Sequence, residues 1–227
     1  MDLLANDIGL DLTRYELPRF IAVEGPIGVG KTTLAKRLGR TLNYDTLLEQ
    51  AEENPFLEKF YTDRRSAALP TQLFFLFQRV KQLQALRQRD IFKPVSIADF
   101  LMEKDPLFAQ VTLDADELRL YQNVYAQLTV DSPVPDLVIY LQAPTEVLLE
   151  RIQHRGTPME QNIDPAYLAT LNDAYTQFFY YYERAPLLIV NATEIDLANS
   201  DADYRNLVEY LLTIKTGKHY YNPTPHL

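Results

Sequence analysis

The sequence of 227 residues has no cysteine and only three histidines. It therefore has no disulfide framework and no thiolate metal site, and its histidines, His154, His219 and His226, are too scattered to indicate a zinc site. Long apolar runs are also missing, since none approaches the about 20 residues that a membrane span needs. Residues 1–17 lack the basic start and apolar stretch of a signal peptide. These absences favour a cytoplasmic protein without a membrane segment.

Basic charge is scarce as well. Lysine and arginine number 22 against 31 aspartates and glutamates, which gives a net charge of −9 and a pI of about 4.9. A nucleic-acid binder usually has a basic surface, so this balance argues against a nucleic-acid partner. Hydrophobic residues make up 47% of the chain, which suits one α/β domain with a full core. We assign that domain to residues 18–227 and treat residues 1–17 as an N-terminal extension.

The most specific motif in the chain is G-x-x-x-x-G-K-T, which follows an apolar run and precedes a helical pattern. Its residues are Gly25, Pro26, Ile27, Gly28, Val29, Gly30, Lys31, Thr32 and Thr33. In this context the pattern predicts a phosphate-binding loop (P-loop), whose backbone N–H groups and following helix surround phosphate oxygens. Lys31 is expected to reach the β- and γ-phosphates, and the Thr32 hydroxyl to bind Mg²⁺. The protein is therefore expected to bind a nucleoside triphosphate.

The distribution of apolar runs predicts the fold. Five short runs have the composition of buried parallel strands, namely residues 19–23, 44–48, 94–98, 136–141 and 187–190. Helical segments separate them, with starts indicated at Pro70, Asp114 and Asp164. This alternation predicts an α/β fold of the P-loop NTPase type, a three-layer sandwich with a five-stranded parallel sheet flanked by helices. The tail from Gly217 has no periodicity and is expected to run over the surface.

Two carboxylates follow predicted strands, at the edge where an open parallel sheet binds its ligands. Glu49, at the end of the second strand, could accept a proton from a substrate hydroxyl, or it could be one of several exposed acids in that stretch. Asp99, at the end of the third strand, could bind the Mg²⁺ that accompanies the phosphates. Asp99 could also cap the next helix, and the two roles are compatible.

Two polar pairs have helical spacing. Gln72 and Arg79 lie seven residues apart, hence on one helix face, and their donors and acceptors suit the edge of a base, although ordinary surface positions would explain them equally well. Arg151 and Arg155 lie one turn apart before a loop with glycine and proline. We interpret residues 151–161 as a small lid that closes over phosphates and supplies positive charge. The alternative is pairing with acidic residues of the same helix.

Together these features resemble the deoxynucleoside kinases of the deoxyguanosine, deoxyadenosine and deoxycytidine kinase type, over residues 18 to 216. The likeness rests on Leu48-Glu49-Gln50, on Asn54-Pro55-Phe56-Leu57 with Phe60-Tyr61, and on later positions in order. It implies that Glu49 is the general base for the 5′-hydroxyl and that Lys31, Arg151 and Arg155 supply catalytic charge. It also implies a substrate-binding set of Glu49, Tyr61, Gln72, Arg79, Phe108 and Glu160. In that set, Tyr61 and Glu160 bind the sugar 3′-hydroxyl, and Phe108 stacks on the base.

One position departs from the family pattern. Phe100 stands where these kinases carry an arginine that holds the 5′-oxygen and the transferred phosphoryl group. The absence of that arginine would lower the rate of phosphoryl transfer by about a few powers of ten, as for other charge-stabilising groups. Lys104, one helical turn further along, could substitute for it. Asp105 falls beside a one-residue gap in the match, so its role stays open.

The resemblance implies an enzyme that uses ATP and Mg²⁺ to phosphorylate a small-molecule deoxynucleoside, and a homodimer. The Gln72 and Arg79 pair suits a purine, deoxyguanosine or deoxyadenosine. The aromatic run 178–182 indicates a helix buried on most sides, in part by a second subunit. Two other functions remain open. One is a nucleoside monophosphate kinase, although Glu49 would repel a substrate phosphate. The other is a regulatory module that binds nucleotide without turnover.

Overall fold

The computed structural model describes residues 8–88, 96–129 and 132–223. Its strands are β1 Phe20–Glu24, β2 Asp45–Leu47, β3 Ser96–Ala98, β4 Leu137–Gln142, β5 Leu187–Asn191 and β6 Lys218–Tyr221. Its α-helices are α1 Lys31–Leu42, α2 Leu57–Thr62, α3 Arg64–Gln88, α4 Asp105–Thr112, α5 Ala115–Leu128, α6 Thr145–Arg155, α7 Pro165–Tyr181 and α8 Asp201–Leu211. Single 3₁₀ turns span Leu12–Arg14, Ala51–Glu53, Met102–Lys104 and Pro158–Glu160.

One parallel sheet organises the chain. Its order is β2-β3-β1-β4-β5-β6, and Ile21 of the central β1 pairs with Ile97 on one side and Leu137 on the other. All five residues of β1 are buried, as expected of a strand covered by helices on both faces. The predicted α/β fold is confirmed. The predicted strand at 94–98 is confirmed over Ser96–Ala98, and its first two residues lie outside the described ranges.

The described part of the sheet has six strands, so the prediction of five strands was wrong. The sixth comes from the tail, which was expected to run over the surface. After Gly217, Lys218–Tyr221 pairs in parallel with β5, in a register that sets Leu187 against Lys218. The two tyrosines of this segment favour a strand, but four residues are too few to give a recognisable period.

The helix that carries the base-reading candidates starts earlier than predicted. Pro70 lies inside α3, which begins at Arg64. A proline in a helix interior costs about 3 kcal/mol relative to alanine. The turn before Pro70 contains Ala67 and Ala68, which are good helix formers and are both buried, and this burial favours continuing the helix through the proline. By contrast, Asp114 and Asp164 cap α5 and α7 as predicted.

The described part of the N-terminal extension lies against the domain. Ile8, Leu10 and Leu12 are buried in the main core, and Lys215 Nζ donates to the Glu16 carbonyl at 3.1 Å. Residues 1–7 lie outside the described ranges. None of the helices in the described ranges is long and apolar enough to cross a membrane.

Candidate active site

The loop between β1 and α1 is shaped by glycine. Gly25 has φ +152°, and a Cβ atom there would lie 2.4 Å from the Leu141 carbonyl oxygen, because β4 runs directly beside the loop. Gly30, with φ +104°, has open space around it. The first position thus needs glycine for both room and backbone conformation, and the second for conformation alone.

We expect Gly25→Ala to destabilise the protein more than Gly30→Ala. The first substitution forces backbone atoms of the loop and β4 apart, whereas the second only places alanine in a left-handed conformation that costs about 1–2 kcal/mol. Thermal unfolding of the two variants measures the difference. Equal losses of melting temperature would contradict the collision with Leu141.

Lys31 lies at the mouth of this loop. Its Nζ donates to the carbonyls of Gly25 at 2.7 Å and Pro26 at 3.1 Å. Burial lowers the pKa of Lys31, and the neighbouring Lys104 lowers it further, against the raising effect of nearby carboxylates. Its ammonium is therefore held among backbone oxygens at the point where a P-loop receives phosphates.

Thr32 and Asp99 meet beside Lys31. The Thr32 hydroxyl donates to Asp99 Oδ2, and Asp99 Oδ1 accepts the backbone N–H of Glu49 at 2.7 Å. Burial raises the pKa of Asp99. One hydroxyl and one carboxylate fit Mg²⁺, which keeps several waters and uses few protein ligands beside substrate phosphates. No cluster of three or more histidine, aspartate or glutamate side chains suited to a metal occurs in the described ranges.

Glu49 lines a pocket together with residues of the P-loop and of α3. Its carboxylate forms ion pairs with Arg79 and, at 3.9 Å, with Lys104 Nζ. Burial alone would raise the pKa of Glu49, but the charges of Arg79, Lys104 and Lys31 outweigh it and lower the pKa to about 2. Glu49 is thus an ionised acceptor at neutral pH. The pocket is lined from α3 by Thr71, Gln72, Phe75 and Arg79, and from other elements by Tyr61, Lys104, Phe108, Arg155, Glu160 and Tyr167.

Asp105, left open by the sequence, has two buried partners. It accepts hydrogen bonds from Arg79 and from the Tyr121 hydroxyl, and Asp105 and Tyr121 are fully enclosed. Arg79 therefore bridges two carboxylates, Glu49 on one side and Asp105 on the other. Burial alone would lower the pKa of Arg79, but the two carboxylates raise it, which keeps the guanidinium charged.

The last residue of α6 and the 3₁₀ turn that follows this helix also line the pocket, through Arg155 and Glu160. Arg155 forms an ion pair with Glu160, and Tyr61 lines the same pocket. Burial, together with nearby Tyr167 and Glu160, raises the pKa of the Tyr61 phenol, so Tyr61 stays a neutral donor. Arg155 pairs outside its own helix, which is not the intrahelical pairing that the sequence left as an alternative.

Gln72 of α3 and Phe108 of α4 belong to the same pocket. Gln72 is buried and lines the pocket with Phe108. The Phe108 ring packs edge-on against Tyr175, with 5.9 Å between ring centroids. Gln72 and Arg79 are thus inside the protein and not ordinary surface residues.

The structure separates Arg151 from Arg155. Arg151 Nη2 donates to the carbonyls of Ala192 at 2.7 Å and Thr193 at 3.3 Å. It lines a second cleft, between the P-loop and the segment 192–198 that follows β5. Arg37 supports this segment from α1 by donating to the Leu197 carbonyl at 3.0 Å. The two arginines of the expected lid therefore line different clefts, one on each side of the P-loop.

A family model described as Deoxynucleoside kinase matches residues 21–214. This chain belongs to the deoxynucleoside kinase family. Deoxyguanosine kinase of Bacillus subtilis (strain 168) is 35% identical over 198 residues, which are 85% of this chain and 95% of that protein. Deoxyadenosine/deoxycytidine kinase of the same organism is 28% identical and covers 89% of this chain and 97% of that protein.

The same family is found among solved structures. Deoxyadenosine kinase from M. mycoides with bound dATP superposes with a TM-score of 0.73 at 28% identity, over 84% of this chain and 99% of that chain. The family makes this protein a phosphotransferase, and the parallel sheet with its P-loop is the shared fold.

Two residues beside this pocket escaped the sequence reasoning. Glu24 and Tyr121 are buried, and each forms a buried side-chain hydrogen bond, Glu24 with Tyr175 and Tyr121 with Asp105. A signal existed for Glu24, because it is a charged residue in an otherwise apolar strand directly before the P-loop. Tyr121 had none, since its helical position is typical of any core tyrosine.

The lowered pKa of Glu49 predicts a pH effect on the stability of the kinase. A carboxylate whose folded pKa is below its unfolded value stabilises the fold above the unfolded pKa and loses this contribution as pH falls through the folded one. For Glu49 the window runs from about 4.5 down to about 2. Glu49→Gln is therefore expected to lower the melting temperature at pH 7, and the difference from wild type should shrink as pH falls below 4.5. The exposed Glu52→Gln is the control, and a difference that stays constant with pH would refute the ion pair.

Proposed function

We propose that this kinase transfers the γ-phosphate of Mg·ATP to the 5′-hydroxyl of a deoxynucleoside. The observation that carries the proposal is the position of Glu49. Its carboxylate lines one pocket with Lys31 and Asp99 of the phosphate end and with Gln72 and Arg79 of α3. A proton acceptor between a phosphate site and a base-reading helix is what transfer to a nucleoside hydroxyl requires.

Phosphoryl transfer forms one bond to the γ-phosphorus and breaks another. The 5′-oxygen forms a bond to the γ-phosphorus, the bond from that phosphorus to the bridging oxygen breaks, and ADP leaves with the electron pair. Glu49 takes the proton of the hydroxyl. Its low pKa suits a proton that leaves late, when the oxygen is already bonded to phosphorus, as in a loose transition state. Lys31 and Arg155 hold negative charge on the phosphoryl group.

Mg²⁺, held by Thr32 and Asp99, would neutralise charge on the phosphates when bound. Asp99 also fixes the Glu49 backbone by accepting its N–H. The second cleft, lined by Arg151 and residues 192–198, suits the base of the donor nucleotide, since it opens beside the P-loop opposite the acceptor pocket.

A purine acceptor is supported by two observations. Gln72 and Arg79 line the pocket, and the Gln72 amide has a donor beside an acceptor, which matches the edge of a purine. The relative at 35% identity is a deoxyguanosine kinase. We therefore propose deoxyguanosine or deoxyadenosine as the preferred acceptor.

Three further proposals concern the whole protein. The kinase domain comprises residues 18–227 with a lid at 151–161, and the protein acts in the cytoplasm. A homodimer is supported by α7, where Phe179 is enclosed but Tyr180 and Tyr181 are about 70% exposed. Exposed aromatic rings of this kind mark a contact surface.

The test is a transfer assay from Mg·ATP to the four deoxynucleosides and their four monophosphates. Lys31→Met serves as the blank, and Lys81→Met, on the exposed face of α3, as the matched control. Product on a purine deoxynucleoside that depends on Lys31 supports the proposal. Product only on monophosphates would make the protein a nucleoside monophosphate kinase. Binding of ATP with no product on any acceptor would make it a regulatory module.

A further inference from the structure

The side chain that stands in the arginine position of the family points into the core. Phe100 is 1% exposed and packs in a hydrophobic cluster with Leu47, Leu76 and Tyr121. It does not line the acceptor pocket in the described structure. The positive charge at this edge of the pocket comes from Lys104 instead, at the end of the 3₁₀ turn before α4.

Lys104 is a buried cation between two carboxylates. It is 1% exposed, and its Nζ lies 3.4 Å from Glu24 Oε1 and 3.9 Å from Glu49 Oε1. The ring of Phe108 lies beneath it, with 5.2 Å from Nζ to the ring centroid. The hydrogen bond to Glu24 uses one of the three ammonium protons, so Lys104 has donors for an incoming oxygen at the point where Glu49 would accept the proton.

Glu24 is held independently of Lys104. Its Oε1 accepts from the Gly25 N–H at 2.8 Å and the Tyr175 hydroxyl at 2.9 Å, and its Oε2 accepts from the Leu101 N–H at 2.8 Å. These three hydrogen bonds are all shorter than the 3.4 Å between Lys104 Nζ and Glu24 Oε1. Charge-assisted hydrogen bonds normally measure about 2.7–2.9 Å. Glu24 therefore does not need Lys104 to satisfy its oxygens, and an ion pair for stability alone does not explain the lysine.

We propose that Lys104 is a catalytic residue of this kinase, whose ammonium binds the acceptor oxygen and the transferred phosphoryl group, and that Glu24 is the residue that positions it. The inference rests on the proposed function. In the transfer, the only proton that moves is the one that passes from the 5′-hydroxyl to Glu49, and Lys104 acts as a hydrogen-bond donor. As Glu49 becomes neutral on taking the proton, the attraction of Lys104 shifts from Glu49 to the oxygens of the phosphoryl group, so its charge is strongest where the transition state needs it.

The first test compares Lys104→Met with wild type and with the control Lys81→Met. We expect kcat to fall about 10²-fold, with the KM for deoxynucleoside and for ATP changed less than about threefold. The melting temperature and the affinity for Mg·ATP, measured by calorimetry without acceptor, separate chemistry from folding. A folded Lys104→Met protein with kcat within threefold of wild type would overturn the proposal.

The absence of cysteine from the chain permits a rescue experiment. Lys104→Cys carries the only thiol, and alkylation of the unfolded variant with 2-bromoethylamine, followed by refolding, converts it to a lysine analogue with sulfur in place of one methylene. This product should recover at least about tenfold in kcat. The same variant treated with iodoacetamide gains a neutral side chain and should not recover. Equal activity of the two products would show that the ammonium has no catalytic role.

A double-mutant cycle tests the role of Glu24. Glu24→Gln alone should lower kcat about tenfold, and it should lower kcat no further in the Lys104→Met background, because it acts through Lys104. If the two substitutions lowered kcat independently, so that their effects multiplied, Glu24 would have a role of its own and would not act by positioning Lys104. A wild-type protein that phosphorylates no deoxynucleoside would overturn the proposed function itself, whereas an active wild type with a fully active Lys104→Met overturns only this inference.

Discussion

Replacement of Lys31 by methionine is expected to lower kcat/KM by about 10³-fold or more. The ammonium lies at the mouth of the P-loop, 2.7 Å from the Gly25 carbonyl, and methionine keeps the length of the side chain without the charge. Removal of one preorganised charge from a phosphoryl-transfer site has an effect of about this size. Steady-state kinetics with varied Mg·ATP at saturating deoxynucleoside measures it.

The fold should tolerate this change. Burial lowers the pKa of Lys31, so the fold gains little from this charge, while methionine removes the hydrogen bonds to the Gly25 and Pro26 carbonyls. The two effects oppose each other, and the melting temperature should change little. Lys81→Met controls for loss of a lysine elsewhere. A Lys31→Met protein that keeps a tenth of the wild-type kcat/KM would argue against phosphate binding at this loop.

Replacement of Asp105 by asparagine is expected to have the largest effect on stability. Asp105 is fully buried and accepts from both Arg79 and Tyr121. Asparagine keeps one acceptor but turns an NH₂ group towards a second donor, and it leaves the buried guanidinium with Glu49 alone. Breaking a buried ion pair from one side costs about 3–5 kcal/mol. For a chain of this size the melting temperature should fall by about 10 °C.

Two further variants serve as references for the loss of stability expected of Asp105→Asn. Tyr121→Phe removes a single neutral donor and should cost about 1 kcal/mol. Asp114→Asn exchanges one good helix cap for another at an exposed position and should change little. Thermal and urea unfolding of the three variants measure the order. An Asp105→Asn protein as stable as Asp114→Asn would show that the Arg79 bridge does not stabilise the fold.

The sheet and the P-loop were predictable because local rules determine them. The apolar runs at 19–23, 136–141 and 187–190 form strands within a residue or two of their predicted ends, and G-x-x-x-x-G-K-T lies between a strand and a helix as its glycines require. The failures have physical causes. β6 is stabilised by pairing with β5, and the sequence of a four-residue segment does not predict such a contact. α3 continues through Pro70 because the packing of the helix outweighs the local preference of proline.

Individual residues of the site could be predicted from the sequence, but the contacts between their side chains could not. Spacing placed Gln72 and Arg79 on one face, and strand ends placed Glu49 and Asp99 at one edge. That Arg79 bridges Glu49 and Asp105, or that Glu24 and Lys104 meet beside the pocket, depends on residues 26 to 80 positions apart in sequence. Periodicity carries no information about such pairs.

The bridge formed by Arg79 also limits how this kinase can evolve. One guanidinium holds both Glu49, the proposed proton acceptor, and the buried Asp105, and it lines the pocket that we propose binds the base. A mutation at Arg79 that admits a different base therefore disturbs the alignment of Glu49 and the rigidity of α3 at the same time. New substrate preferences should arise at neighbours such as Gln72 and Thr71, and a change at Arg79 should become tolerable only after compensating changes at both acids.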